Sequence, residues 1–170
     1  MTSIAVTKST LGRNAVYFIV SVLRHNLTDT QTPVRNGKEW ILKSESKENI
    51  DITDFPKIVL NGEIEYESIT LDGGKNLSRD IDIICDIYTQ GDNAIAKRDD
   101  YSDQIRTILF NPDSTDADGT TLRQSNLILR EFTDEVTDFP YTRSGNTQGT
   151  KGGSVIIRSK AIHMRFRFKG

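Results

Sequence analysis

Between Arg79 and Tyr88 the chain alternates without a break. Ile81, Ile83, Cys85 and Ile87 hold the odd positions, while Asp80, Asp82, Ile84, Asp86 and Tyr88 hold the even ones. Successive side chains of a strand point to opposite faces, so this spacing predicts a strand with one wholly apolar face. An apolar face has to be covered by another element. That requirement shapes the reading of the rest of the chain.

Two segments have the helical spacing needed to cover it. From Leu11 towards Arg24, with Ser9 or Thr10 as cap, Ala15, Ile19, Val22 and Leu23 share a face, although the β-branched content keeps a strand open there. From Asn93 to Phe110, Ile95, Tyr101, Ile105, Ile108 and Leu109 are spaced for one face, and Asn111-Pro112 ends the run because the residue before proline is pushed out of helix.

Further strands are expected on either side. Pro56 opens a strand pair, Lys57 to Leu60 and Glu63 to Leu71, with Asn61-Gly62 as a tight hairpin turn and Asp72-Gly73-Gly74 as the next turn. Leu127 to Phe132 is a short strand. Val155 to Phe168 is a long one, with Ile156, Ile162, Met164, Phe166 and Phe168 on one side and His163, Arg165 and Arg167 on the other. Long loops are expected near 28–49, where Trp40, Ile41 and Leu42 form one sticky patch, and near 111–121 and 142–153; the loops Asp113 to Thr121 and Thr142 to Gly153 read as mobile. Thr53-Asp54-Phe55-Pro56 recurs as Thr137-Asp138-Phe139-Pro140, which reads as chance or a shared strand-edge turn, since no wider repeat surrounds it. The expected fold is a single α+β domain over residues 1–170, a mainly antiparallel sheet flanked by an N-terminal helix and a second helix at about 93–110.

At 170 residues and 35% hydrophobic content, one modest core is the expectation. The longest apolar run, Ala15 to Val20 resuming at Val22, is shorter than a bilayer span of ~20 residues and lacks the flanks of a secretory signal, which points to the cytoplasm and away from a membrane. Cys85 is the only cysteine, so an intramolecular disulfide or thiolate cluster is excluded and a small core residue is expected.

Catalytic and ligand signatures are weak. His25 and His163 are the two histidines, with no paired ligand spacing, and both read as structural. The loop Asp113 to Gly119 has the acid density of a calcium loop, but with Gly119 at the sixth position the twelfth is Ser125 rather than glutamate, so a solvated turn is expected. Gly149-Thr150-Lys151-Gly152-Gly153 has a phosphate-loop flavour without the required order or a following helix, and reads as a flexible hairpin loop. No catalytic, metal or cofactor-binding residue is assigned, and no enzyme activity is expected.

Charge is more informative than motif. The balance of 22 basic against 24 acidic residues gives a formal charge of −2, so no global field draws the protein to nucleic acid. Locally, Asp80, Asp82 and Asp86 lie in an acidic middle that also holds Glu63, Glu65 and Glu67, whereas Arg158, Lys160, Arg165 and Arg167 lie in a C-terminal region free of carboxylates beyond Tyr141. Two accounts stay open. The strands pair opposite charges on one sheet face, or the acidic strands of one subunit meet the basic strand of the next. Arg143 and Lys151 are candidates for a loop facing a partner. Nucleic-acid binding is weaker, for want of an exposed aromatic platform beside His163, Arg165 and Arg167.

In the order of its elements the chain resembles the tail-terminator and tail-completion proteins that join head to tail in long-tailed bacterial and archaeal viruses. The elements are an N-terminal helix, a hairpin around Pro56-Lys57-Ile58-Val59-Leu60, the strand Asp80 to Tyr88, the helix containing Asp100-Tyr101-Ser102-Asp103-Gln104-Ile105-Arg106, and closing strands. The resemblance covers most of the chain and carries no signature motif; the polar segment before Pro56 and the loop after Pro112 depart in length. It implies a hexameric ring in the virion, assembled in the host cytoplasm at the head-proximal end of the tail. Such a ring sits on the tail tube protein, stops tube growth, meets a head connector or stopper protein, and surrounds the channel for genome DNA without reading its sequence. The alternative from another class is a non-enzymatic module of a cellular or mobile-element system that binds protein or nucleic acid through its sheet edge and basic C-terminal strand.

Overall fold

A computed structural model of the chain describes residues 6, 11–30, 37–43, 55–69, 77–142 and 154–169. Helix α1 (Leu11–Asn26) is followed by strands β1 (Ile41–Lys43), β2 (Lys57–Ile69) and β3 (Leu77–Thr89). Helix α2 (Ala94–Phe110) and strands β4 (Leu127–Thr142) and β5 (Ser154–Lys169) complete the chain. The strands form a five-stranded sheet in the order β1-β2-β3-β5-β4, parallel between β1 and β2 and antiparallel elsewhere. The fold is α+β, as the alternating periods predict.

Both helices cover one face of the sheet, α1 over β1 and β2, α2 over β3, β5 and the start of β4. Ile81, Ile83, Cys85 and Ile87 are fully buried beneath them, beside Ile162, Met164, Phe166 and Phe168 of β5. Ala15, Phe18, Ile19, Val22 and Leu23 of α1 and Tyr101, Ile105 and Leu109 of α2 complete the core. Fully burying an aliphatic side chain of this size contributes roughly 1.5–3 kcal/mol, so this layer dominates the stability. Across the α1–α2 seam the Tyr101 hydroxyl donates to Asp29 Oδ1 (3.1 Å) and accepts from the Thr30 amide (3.0 Å), and its ring meets Trp40 at 5.5 Å.

Several sequence expectations are corrected by pairing. Asn61-Gly62 makes no hairpin, because β2 runs through it against β3 and takes up the irregularity as a bulge between Asn61 and Ile64. The sticky patch in the expected 28–49 loop is the edge strand β1, held by the ladder to β2. β4 extends to Thr142 rather than ending at Phe132, since the long β5 offers a partner along its whole length. The second Thr-Asp-Phe-Pro stretch is thus inside a strand and not a turn, with Pro140 on an edge strand where proline is tolerated. Ile156 is half exposed instead of buried because β3 pairs with β5 only from Arg158 onward, so the first residues of β5 project beyond the helix-covered sheet. In α2, Ala94, Arg98, Tyr101, Ser102, Ile105 and Leu109 set the buried face, and Ile95, rotated by about 100° from Ala94, falls outside it. The expected cap at Ser9 or Thr10, the turn at Asp72-Gly73-Gly74 and the loop at 143–153 lie outside the described residues.

β3 hands over to α2 through Gly91 at φ +79° and Asn93 at φ 60°. Nothing lies within 4 Å of a Cβ built on Gly91, so only its backbone conformation demands glycine. Gly91→Ala should therefore lower the unfolding free energy by about 1 kcal/mol, whereas Ile83→Ala should lower it by about 2–5 kcal/mol by opening a cavity in the core. Urea denaturation of both variants checks the contrast, and equal losses would show that the packed face does not dominate the stability.

Candidate functional site

The antiparallel register of β3 and β5 sets Asp80 opposite Arg167 and Asp82 opposite Arg165 on the sheet face away from the helices. Both are two-pronged carboxylate–guanidinium pairs, with Arg167 Nε at 2.7 Å and Nη2 at 2.9 Å from Asp80, and Arg165 Nε at 2.8 Å and Nη2 at 3.1 Å from Asp82. Arg165 Nη1 also reaches Glu131 of β4 at 3.2 Å. The hydrogen bond from Arg167 holds the Asp80 carboxyl below the usual aspartate value, against the opposing effect of burial. Acidic and basic strands thus neutralise each other inside one chain. Of the two accounts that charge alone left open, these pairs follow the first.

The remaining interface candidates are also engaged. Asp86 is buried and accepts from Asn61 Nδ2 at 3.3 Å. The Arg158 carbonyl accepts from Thr89 Oγ1 at 3.3 Å. Lys160 lies on the helix side of the sheet, buried between Asp99 of α2 (3.1 Å) and Asp134 of β4 (3.0 Å). The Lys160 hydrogen bond holds Asp134 below its ordinary value. Burial works against the Lys160 charge, but the two aspartates outweigh it and raise its value above the usual 10.5. This cluster ties α2 to β4. Arg143 and Lys151 lie outside the described residues.

His25 and His163 are exposed. Cys85 is buried, and burial pushes its thiol far up, so it packs as a small apolar residue. The loop after Pro112, expected to be a solvated and mobile turn, is organised by a buried carboxylate: Asp116 Oδ1 accepts from the amides of Asp118 (3.0 Å) and Thr120 (2.8 Å). A carboxylate short enough to receive backbone amides two and four residues on makes the turn its own ligand. Among the described residues no group of three or more His, Cys, Asp or Glu side chains is placed to hold a metal, and no helix is long and apolar enough to cross a membrane.

What the geometry leaves open is at the sheet's ends. At the β1 end the outward carbonyl of Ile41 accepts from Arg24 Nε (2.9 Å) and Nη2 (2.7 Å), and its amide donates to the Lys38 carbonyl (3.0 Å), so both outward backbone groups of Ile41 are held. At the other end β4 is the edge among the described residues. Beside its start, Leu109, Phe110, Leu122, Ile128 and Leu129 line an open groove of about 390 Å³ with Arg123 and Lys169 at its rim. Phe110 is 57% and Ile128 39% exposed there, and Val136 further along β4 is 53% exposed. Phe110 leans on Phe132 (6.1 Å), whose ring also carries the Arg106 guanidinium at 4.8 Å. The sequence marked this strand too short and read Phe110 only as a helix end.

No model of a known protein family matches the chain, and no curated protein is similar to it at a significant level.

These ion pairs make stability pH-dependent in a defined direction. Asp80 and Asp134 have folded values below the ordinary 3.8, so their contribution is complete above that value and is lost as pH falls through the lower folded one. Lys160 has a folded value above 10.5, so its contribution is complete below 10.5 and is lost at higher pH. Urea midpoints should hold through neutral pH and decline in acid, and Lys160→Met should make that acid decline shallower by uncoupling Asp134 and Asp99. An equally steep decline in the variant would show that the aspartates are not coupled through Lys160.

Proposed function

We propose that the protein is a non-enzymatic virion assembly protein of the tail-terminator type, forming a closed ring, of six copies on the family pattern, that caps the tail tube and offers a joining surface to the head. The observation that supports this reading best is the asymmetry of the sheet. One end carries the three-residue β1, which reaches only Ile58–Leu60 of β2 and whose Ile41 carbonyl is held by Arg24, whereas the other is a 16-residue strand without an outer partner among the described residues, flanked by exposed Phe110, Ile128 and Val136. A long edge beside an apolar groove is a surface that stable monomers usually blunt. Two unlike ends on identical subunits make head-to-tail contacts, which either close into a ring or grow without limit, and a terminator has to be finite.

The order of elements supports the same reading. A helix, strands, a second helix and a closing pair of long strands lie on one sheet, and the β4–β5 ribbon runs past the end of β3 as an arm. The alternative of a module that binds through its basic C-terminal strand draws less support, because Arg165 and Arg167 are neutralised by Asp82 and Asp80. Mixed with its cognate tube protein, the chain should shorten assembling tubes and add one ring to a single end, as seen by electron microscopy of negatively stained particles. Tubes of unchanged length with bare ends would sink this function.

A further inference from the structure

We infer that copies of this chain join edge to edge, the stretch of β2 that β1 leaves uncovered pairing antiparallel with the start of β4 in the next copy, so that one sheet runs from subunit to subunit. This assigns the subunit contact of the ring proposed above and rests on that reading.

Strand order and register carry the contact. β1 covers β2 only from Ile58 to Leu60, so among the described residues 61–69 of β2 have no strand on their outer side. Followed across the ladders, Asn61 is level with Ile84, His163 and Thr133, and Glu65 is level with Ile81, Phe166 and Leu129. The uncovered stretch of β2 and the first part of β4 therefore stand at the same height on opposite edges of the sheet. They also run in opposite directions, because each of the ladders between them is antiparallel. A second copy set beside the first without an axial shift thus meets it as an antiparallel strand pair. Leu127 donates its amide to the Leu122 carbonyl (3.2 Å), outside the ladder with β5, so its backbone faces outward; Leu129, two residues on, offers the first outward amide and carbonyl to a partner. β1, whose last residue is level with Asp134, confines the pairing on β4 to 129–133.

Charge favours the unlike edges. The two charged residues that line the groove at the start of β4, Arg123 and Lys169, are cationic, and Arg130 is exposed in the bulge of the strand. Asp113 offsets Arg123 at 3.2 Å and Arg165 holds Glu131, which leaves Lys169 and Arg130 in excess. The uncovered stretch of β2 has the opposite sign: Glu63, Glu65 and Glu67 alternate with Ile64 and Tyr66, and of the three only Glu67 stands opposite a cation, Arg79. An acidic and apolar edge therefore meets an apolar groove with a cationic border.

The like-to-like contacts fit less well. Two β4 edges about a two-fold axis set the cationic border against itself or, centred further along, Asp134 and Glu135 against their own copies; two β2 edges set glutamates against glutamates. Only the unlike pairing joins opposite charges, and because its two edges bound opposite sides of each subunit it reaches a finite product only by closing as a ring.

The test uses the full chain, alone at rising concentration and with its tube protein, and reads mass in solution and amide hydrogen exchange. On association, exchange in 129–133 and in 64–69 should slow together by about tenfold or more, while α1 keeps its monomer rates. Arg123→Glu and Glu65→Lys should each weaken association by about tenfold, and the two together should recover most of the loss, since Arg123 and Leu129 line one groove and Glu65 is level with Leu129. Equal urea midpoints would confirm that the variants fold, and the exchange measurement needs no variant. Assemblies in which neither stretch slows would overturn this contact while leaving the ring. Assemblies protected at both stretches that do not cap tubes would overturn the function while leaving the contact. A chain that stays monomeric at its highest soluble concentration and with tubes present would overturn both.

Discussion

The ladder between β3 and β5 is the constraint on which the rest of the molecule depends. Its register runs from Ser78 opposite Lys169 to Thr89 opposite Arg158. One set of pairs puts Ile81 beside Phe166, Ile83 beside Met164 and Cys85 beside Ile162 under the helices. The intervening set puts Asp80 beside Arg167 and Asp82 beside Arg165 on the open face. A slip by one residue would turn every one of these side chains to the wrong face, exposing the core row and burying the charges. Apolar burial and charge pairing therefore select the same register. The exposed pairs add specificity more than free energy, since surface ion pairs contribute only about 0–1 kcal/mol each.

Centring the sheet on β3 and β5 decides where surface is left over. β3 is flanked by β2 and β5 and, apart from β2 beyond Leu60, which β1 does not reach, the outer backbone among the described residues lies at β1 and β4. The first is three residues long and capped by a guanidinium from the helix above it; the second is sixteen residues long, with an apolar groove at its start. Lys160, reaching through the helix-covered layer to Asp99 and Asp134, fixes α2 against this edge strand. The groove that Phe110 helps to form therefore lies between a braced helix, the edge strand and the loop that Asp116 organises.

Acid-rich and base-rich stretches invite a reading as complementary surfaces of different molecules, and here they are mostly complementary strands of one. The distinction has a simple physical origin. Two oppositely charged strands in one chain meet at high effective concentration and share a ladder, so they pair internally before any second copy can compete. Among the described residues, exposed large apolar side chains lie instead towards the ends of the sheet, Tyr17 at one and Phe110 and Ile128 at the other.

Period made the α+β class, the second helix, the apolar row of β3 and the buried side of β5 from Ile162 onward legible, because each records a face that must leave water, whereas the β-branched N-terminal segment left helix and strand both open. Asn111-Pro112 likewise marked the end of α2, and the structure places Asn111 in an extended conformation. Tertiary pairing decided the rest. It carried β2 straight through Asn61-Gly62, made a strand of Ile41–Lys43, and extended β4 well beyond Phe132 into a stretch whose own propensities are weak. Local strand and turn preferences span only about 1 kcal/mol, and a ladder with a ready partner outweighs them. The candidate contact surfaces were hidden for the same reason. Whether an edge is open, and which side chains border it, depends on strand order, and strand order is set by long-range packing that no local spacing encodes.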